Sequence, residues 1–454
     1  MTEKKRPALF TDLYELTMAA SYFEHGIMGP ASFSLFVRNY PPRRSYFVSA
    51  GLAEVLDYLE MVSFTQGDLE YLESTGLFKN DFLSHLEAFK FTGDVFAIPE
   101  GRLFFVNEPI LEVSAPMIEA QIIETFVISA INFQSMIATK ASRSSHAAQG
   151  RPCVDFALRR TQGTDAGMKV ARASFIGGFV GTSNVLAGER YGIPVFGTMA
   201  HSFITSFEKE IDAFRAYART FPQDSVLLID TYDTLSGARN AAQVGKEMSL
   251  KGETLRGVRL DSGDMAKLSR EVRTILENAD LRNTQIFASG AFDEYKIHRV
   301  LNRGAEIDAF GVGTKMGVSA DAPYLDMAYK LVKYEGQPVL KLSPCKETLT
   351  SEKQVFRFST PLGLLEKDTI GLRDDVFANA ESLMIKVMNK GRSVFVSPPL
   401  PEIQKTFFKE FEKLDPAYKS LEGSEEDYPV NLSARLKKLQ TETTQRIKSR
   451  ELNN

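Results

Sequence analysis

Between residues 118 and 342 the chain repeats one pattern: a short apolar run closed by a small or acidic residue, then a longer stretch whose apolar positions recur at helical spacing. The runs fall at 152–157, 175–180, 193–197, 225–230, 257–261, 285–289 and 308–313. Strand and helix alternating at this interval predict a parallel sheet with right-handed crossovers. Seven strands favour an irregular TIM-like (β/α) barrel over an open doubly wound sheet.

The flanks have a different texture. Residues 8–25 carry Leu13, Leu16, Met18, Ala19, Tyr22 and Phe23 at helical spacing, with Thr11 and Asp12 in position to cap the helix. Residues 31–37 and 45–48 read as strands, separated by Pro41-Pro42-Arg43-Arg44, and 52–89 is helical with breaks near Ser63 and Gly76. Short β-prone runs follow at 95–98 and 103–106, so 1–117 is expected to be an α+β domain. Residues 118–147 read as long helices entering the barrel domain, 118–342, whose end at 324–342 is β-like around a turn at 335–338. The remainder, 343–454, is expected to be an extension packed on the N-terminal domain, ending in two amphipathic helices within 403–452.

Composition narrows the class. The 454 residues are 43% hydrophobic and 25% charged, and no uninterrupted apolar run approaches the ~18 residues of a membrane span, so neither a membrane protein nor a disordered one is expected. The charged start, residues 1–7, is followed by no signal-like apolar core, and two cysteines, Cys153 and Cys345, are too few for a disulfide framework. A cytoplasmic location follows as the expectation. A net charge of -4 argues against a nucleic-acid partner, so any anionic ligand must be held by a few focused cations. The glycine fingerprints of dinucleotide-binding folds and phosphate-binding loops are missing from the sequence.

Polar residues gather where the predicted strands end, the place at which a parallel barrel carries its chemistry. Gly197-Thr198-Met199-Ala200-His201-Ser202-Phe203 places a histidine at a strand-to-helix junction; the alternative is an imidazole that serves only its own turn. In Arg259-Leu260-Asp261-Ser262-Gly263-Asp264 the guanidinium suits a carboxylate, and the two aspartates suit ribose hydroxyls or a hydrated Mg²⁺. The alternative there is an Arg–Asp bridge within the loop and a helix cap from Asp264. Ser289-Gly290 and Gly311-Val312-Gly313-Thr314 close the last two strands with small residues whose amides can cradle a phosphate. Together these pieces imply a ligand with a phosphate, hydroxyls and a carboxylate: a phosphosugar-handling enzyme acting on a small acid.

With these motifs assembled, and with Thr11-Asp12-Leu13-Tyr14 and Asp155-Phe156-Ala157-Leu158-Arg159-Arg160-Thr161-Gln162-Gly163 beside them, the chain resembles nicotinate phosphoribosyltransferase from Asp12 to about Leu342. The resemblance implies a barrel of the type II phosphoribosyltransferase kind. It also implies an enzyme that forms nicotinate mononucleotide and pyrophosphate from nicotinate and phosphoribosyl pyrophosphate, with Mg²⁺ and coupled ATP hydrolysis. His201 would be transiently phosphorylated, with Asp261 beside it in catalysis. Arg259, Phe156, Thr198 and Tyr14 would hold nicotinate, Tyr14 coming from the neighbouring subunit of a homodimer. Arg159, Asp261, Gly290, Gly313 and Thr314 would hold the phosphoribosyl donor; no metal-binding residues are assigned. The related enzyme that uses nicotinamide has an aspartate at the place of Ser183, where a carboxylate would repel nicotinate; here Gly181-Thr182-Ser183-Asn184 carries no acid. Ala157, where relatives often have glycine, departs mildly from the family's pattern. Two alternatives stay open: transfer to another pyridine acid such as quinolinate, or an inactive dimeric paralogue.

Overall fold

A computed structural model describes residues 8–343 and 347–452, so Cys345 and the charged start lie outside the described residues. The chain divides into two compact units, one of residues 137–323 and one that joins 1–136 with 324–454.

The unit 137–323 is built on a six-stranded sheet whose pairings are all parallel. Its spatial order is Gly181–Thr182, Cys153–Asp155, Ala309–Val312, Gln285–Ala288, Gly257–Leu260, Val226–Leu228. The first strand in sequence pairs with the last, Phe310 opposite Cys153 and Val312 opposite Asp155, so the sheet curls on itself as a barrel does. Two expected strands differ. Run 175–180 is not a strand: Phe175 and Ile176 end the helix Thr164–Ile176, and the chain turns through Gly177 and Gly178 (φ +99°) before pairing at Gly181–Thr182. An apolar run of that length fits a buried helix end as well as a strand, and periodicity alone cannot separate them. Run 193–197 contributes only a single parallel bridge, Thr182 to Val195. The barrel is therefore irregular between Val195 and Val226–Leu228, which are not paired, and the segment carrying His201 crosses that seam.

Helices cover this sheet, with buried alanines and glycines where they approach most closely. Gly237 is one such point, since a Cβ there would lie 2.1 Å from the Ile229 carbonyl oxygen. An ionic cluster ties the helix Glu294–Asn302 in place: buried Glu294 receives Lys140 at 2.7 Å and Arg143 at 3.0 Å. Removing one member of such a cluster strands the others in a low-dielectric interior, at a cost of about 3–5 kcal/mol.

In the other unit, seven strands are ordered Gln337–Pro338, Met327–Tyr334, Pro30–Val37, Leu111–Pro116, Asp94–Ala97, Ile385–Asn389, Arg392–Ser393, every pairing antiparallel. Three strands from the start of the sequence thus form the centre of the sheet, flanked on both sides by strands from beyond residue 324. Arg357, fully buried, is bonded to Asp368 at 2.6 Å, Glu410 at 2.9 Å and the Leu103 carbonyl at 3.0 Å, tying the helix Leu400–Lys413 to the strand Leu103–Phe104. The tail does contain two helices, Leu400–Lys413 and Ala434–Glu451. At the other end of the chain, the helix Leu13–Glu24 begins after Asp12 without a side-chain cap. The Thr11 hydroxyl instead bonds the Glu15 carboxylate, and Asp12 accepts from Thr125 at 3.1 Å. The helical stretch Met117–Ala147 is apolar and long enough to cross a membrane by composition, but 67% of its most apolar window is buried in the protein, as in a core helix.

Candidate active site

The carboxyl ends of the parallel strands converge on a pocket of about 160 Å³ lined by Phe156, Arg159, Arg160, Arg259, Asp261, Ser289, Gly290, Ala291, Gly311, Gly313 and Thr314. Each comes from the residues that end or follow one of four strands, Cys153–Asp155, Gly257–Leu260, Gln285–Ala288 and Ala309–Val312, so backbone pairing alone brings them together.

Arg259 is the centre of the arrangement, with its side chain 14% exposed. Its Nε donates to Ser289 Oγ (2.8 Å), Nη1 to Thr198 Oγ1 (3.0 Å) and to the Met199 carbonyl (3.2 Å), and Nη2 to Asp261 Oδ1 (2.9 Å). Of the five N–H donors of a guanidinium, these bonds leave one on Nη2 for a ligand. The intraloop Arg–Asp bridge, the alternative reading of this segment, is therefore present, and Arg259 also joins the ends of three strand segments. Burial by itself would raise the Asp261 carboxyl. Hydrogen bonds from Ser289 and Arg259 and the guanidinium charge outweigh it, holding Asp261 below the ordinary carboxylate range. Asp264 is committed elsewhere: it caps the helix Met265–Glu277 and pairs with Arg303 at 2.8 Å, which leaves it poorly placed for ribose or Mg²⁺.

Phe156 lies beside this centre, 5.5 Å from the Arg259 guanidinium and 5.5 Å from the Phe287 ring. Glycines make room for it. A Cβ on Gly311 would come within 2.8 Å of its ring, and one on Gly313 within 2.9 Å of its carbonyl oxygen. Gly290 takes φ +99°, and a Cβ there would meet the Asp261 carbonyl oxygen at 2.0 Å, so only glycine fits that turn. Thr314 opens a short helix after Gly313 and is exposed, as are Arg159 and Arg160 at the rim.

His201 is the first residue of the helix His201–Thr205 and is exposed; its Nδ1 and the Thr231 hydroxyl share a hydrogen bond of 3.0 Å across the seam. The imidazole therefore does not serve only its own turn. Beside it Asp230 receives the Asp261 N–H (3.1 Å) and the Ser262 hydroxyl (2.6 Å) on Oδ2, while buried Oδ1 has no partner among the described residues. Thr198 reaches the pocket through Arg259. Tyr14, on the helix Leu13–Glu24 of the other unit, is 47% exposed; burial and the nearby Glu124 and Glu15 raise its hydroxyl pKa well above the ordinary value.

Several residues here carried no role in the sequence reading. Asp155, fully buried, accepts from the Ala157 N–H (2.8 Å) and the Thr182 hydroxyl (2.7 Å), fixing the turn that carries Phe156. Burial pushes its carboxyl up to about 6 despite those bonds. A lone acid closing an apolar run was its only signal. Ser183, which the sequence marks by the lack of an acid there, donates its N–H to the Asp155 carbonyl at 2.8 Å, whereas neither Thr231 nor Lys296 announces itself in the sequence.

A curled parallel sheet with an arginine–aspartate centre, an aromatic wall and glycine turns at its carboxyl ends defines a barrel enzyme for a small anionic, phosphate-bearing substrate. The family models agree with that class and refine it. The nicotinate phosphoribosyltransferase N-terminal domain matches residues 9–132, the nicotinate phosphoribosyltransferase family model 152–360, and the C-terminal domain 376–440. Nicotinate phosphoribosyltransferase pncB2 of Mycobacterium tuberculosis is 46% identical over 94% of this chain and 92% of its own length. The Bacillus subtilis enzyme is 38% identical over 94% and 93%. The crystal structure of human nicotinic acid phosphoribosyltransferase superimposes with a TM-score of 0.85 at 28% identity, covering 95% of this chain and 99% of that one. The chain belongs to the nicotinate phosphoribosyltransferase family.

Proposed function

We propose that the pocket joins nicotinate to phosphoribosyl pyrophosphate, releasing pyrophosphate and forming nicotinate mononucleotide, with ATP hydrolysis coupled through a phosphorylated His201. The observation that carries this reading is the composition of one pocket, which brings the Arg259–Asp261 pair and Phe156 together with Gly290, Gly313 and Thr314. Nicotinate takes the Arg259 side, its carboxylate on the remaining Nη2–H and its ring against Phe156, with Thr198 lining the pocket and Tyr14 of a second subunit covering the other face. The donor's 5′-phosphate takes the glycine turns, and Arg159 faces its pyrophosphate. As the C1–pyrophosphate bond breaks, positive charge grows on the ribosyl ring and negative charge on the leaving group. The ionised Asp261 favours the first and the rim arginines the second.

Mg²⁺ fits the acids that remain available. The partnerless Asp230 Oδ1 and the ionised Asp261 are suited to a hydrated ion completed by phosphate oxygens, although no group of three or more ligating side chains is found among the described residues. Bound there, the ion would neutralise charge on the departing pyrophosphate. His201 stands beside these acids on an exposed helix start, where its imidazole can act as the nucleophile toward the γ-phosphate of ATP.

The test is His201→Asn. The variant should lose ATP hydrolysis and ATP stimulation yet retain slow nucleotide synthesis without ATP. Wild type incubated with γ-labelled ATP should acquire an acid-labile, base-stable label that the variant lacks. A label that persists in the variant, or complete loss of ATP-independent synthesis in a folded variant, would overturn the role given to His201.

A further inference from the structure

The turn after the strand Gln285–Ala288 is held in a costly conformation. Gly290 has φ +99° and Ala291, which carries a Cβ, has φ +52°, so two successive residues lie in the left-handed region. Such a turn persists only where its surroundings impose it. What imposes it comes from the helix Glu294–Asn302. Lys296, in the first turn of that helix, reaches back and donates from Nζ to the Gly290 carbonyl at 2.6 Å. The helix start is itself pinned: Asp293 caps the Lys296 N–H at 2.7 Å and receives Lys315 at 2.7 Å, and Glu294 is held by Lys140 and Arg143.

Lys296 forms no ion pair with a carboxylate among the described residues; its ammonium has the Gly290 carbonyl and, 4.5 Å away, the Phe292 ring. Burial first, and then the Lys315 charge, depress its pKa, so an anion bound nearby would relieve the strain on its charge. The Gly290–Ala291 peptide is trans and planar, which makes its carbonyl and its N–H point in opposite directions. With the carbonyl drawn to Lys296, the Ala291 N–H is turned away from the lysine, on a residue that lines the pocket, and it has no acceptor among the described residues. An ammonium on the carbonyl also polarises the peptide and strengthens that N–H as a donor.

We infer that Lys296 is a positioning residue of the phosphoribosyl site: by gripping the Gly290 carbonyl it fixes and polarises the peptide whose N–H donates to a phosphate oxygen of the phosphoribosyl substrate. This rests on the assignment of the glycine turns to the donor's phosphate. A second variant, Thr314→Ala, therefore tests that assignment on the neighbouring turn. Lys296→Met should raise the KM for phosphoribosyl pyrophosphate about 10-fold, the value of one charge-assisted hydrogen bond, and leave kcat and the KM for nicotinate within about 2-fold. Lys296→Gln, a neutral donor, should fall between, and Lys296→Arg should restore most of the affinity. Calorimetric titration of each variant with phosphoribosyl pyrophosphate alone should give the same order. A raised donor KM in Thr314→Ala but not in Lys296→Met would overturn the inference and leave the site assignment standing. No change in either variant would remove the assignment and the inference with it. Equal rises in both substrates' KM, with a lowered Tm and no rescue by arginine, would show Lys296 to be structural only.

Discussion

Replacing Arg259 with alanine separates two jobs that one guanidinium performs. The first is internal: its four bonds hold Thr198, Met199, Ser289 and Asp261 together, and losing them leaves a half-buried Asp261 without its cation. That loss falls on every substrate, because it loosens the pocket itself and lets the Asp261 carboxyl rise toward the neutral form. The second job is the charge offered to a ligand carboxylate. Pairing across a desolvated site is worth about 3 kcal/mol, within the 2–5 kcal/mol range for truncated buried charge pairs. At about 1.4 kcal/mol per tenfold, this corresponds to roughly 150-fold. The two jobs part in a ratio. Nicotinamide has the same ring and no charge, so kcat/KM for nicotinate divided by kcat/KM for nicotinamide cancels the shared damage. Pyrophosphate release measured with each base, in wild type and Arg259→Ala, should show that ratio falling by roughly 150-fold. If both bases lose activity in equal proportion, the guanidinium is a structural hub and the nicotinate carboxylate binds elsewhere.

Two further outcomes follow from the same geometry. Burial lifts the Asp155 carboxyl from 3.8 to about 6, so the folded state holds this proton more tightly than the unfolded chain. Its contribution to stability is whole below the unfolded pKa and is lost as pH rises through about 6, a change on the order of 3 kcal/mol. Asp155→Asn should flatten the pH dependence of urea-denaturation stability across that window, and an unchanged slope would contradict the burial argument. If Tyr14 completes the site of a second subunit, mixing inactive Tyr14→Ala with inactive Arg259→Ala protomers should restore part of the activity, since one of the two sites in a heterodimer is then intact. No recovery after verified subunit exchange would confine Tyr14 to its own subunit.

Much of the site was legible because its residues are placed by local rules. Each short apolar run had to end somewhere, and in a parallel sheet every such end lies on one side. Arg259, Asp261, Gly290 and Gly313 are therefore grouped by the sequence alone. Glycines at 290, 311 and 313 stand out at the ends of the last two apolar runs; that each makes room for the Asp261 carbonyl or for Phe156 depends on partners far away in sequence. Run 175–180 differs from its expected strand because a helix end and a buried strand present the same few apolar residues; for Asp264 the sequence leaves cap and ligand open, since both use the same carboxylate, and the structure shows the cap.

By itself the sequence determined the alternation of strand and helix, the chemistry gathered at the strand ends and the family to which the chain belongs, since these follow from short-range periodicity and from motifs in fixed order. The tertiary structure alone decided the pairing of Cys153–Asp155 with Ala309–Val312 and the unpaired seam at His201. It also decided the return of residues 324–454 to the unit formed by 1–136, the burial that raises the Asp155 carboxyl and the grip of Lys296 on Gly290. These depend on which faces are buried against each other and how much water is excluded there, and groups hundreds of residues apart contribute to that balance without any trace in local spacing.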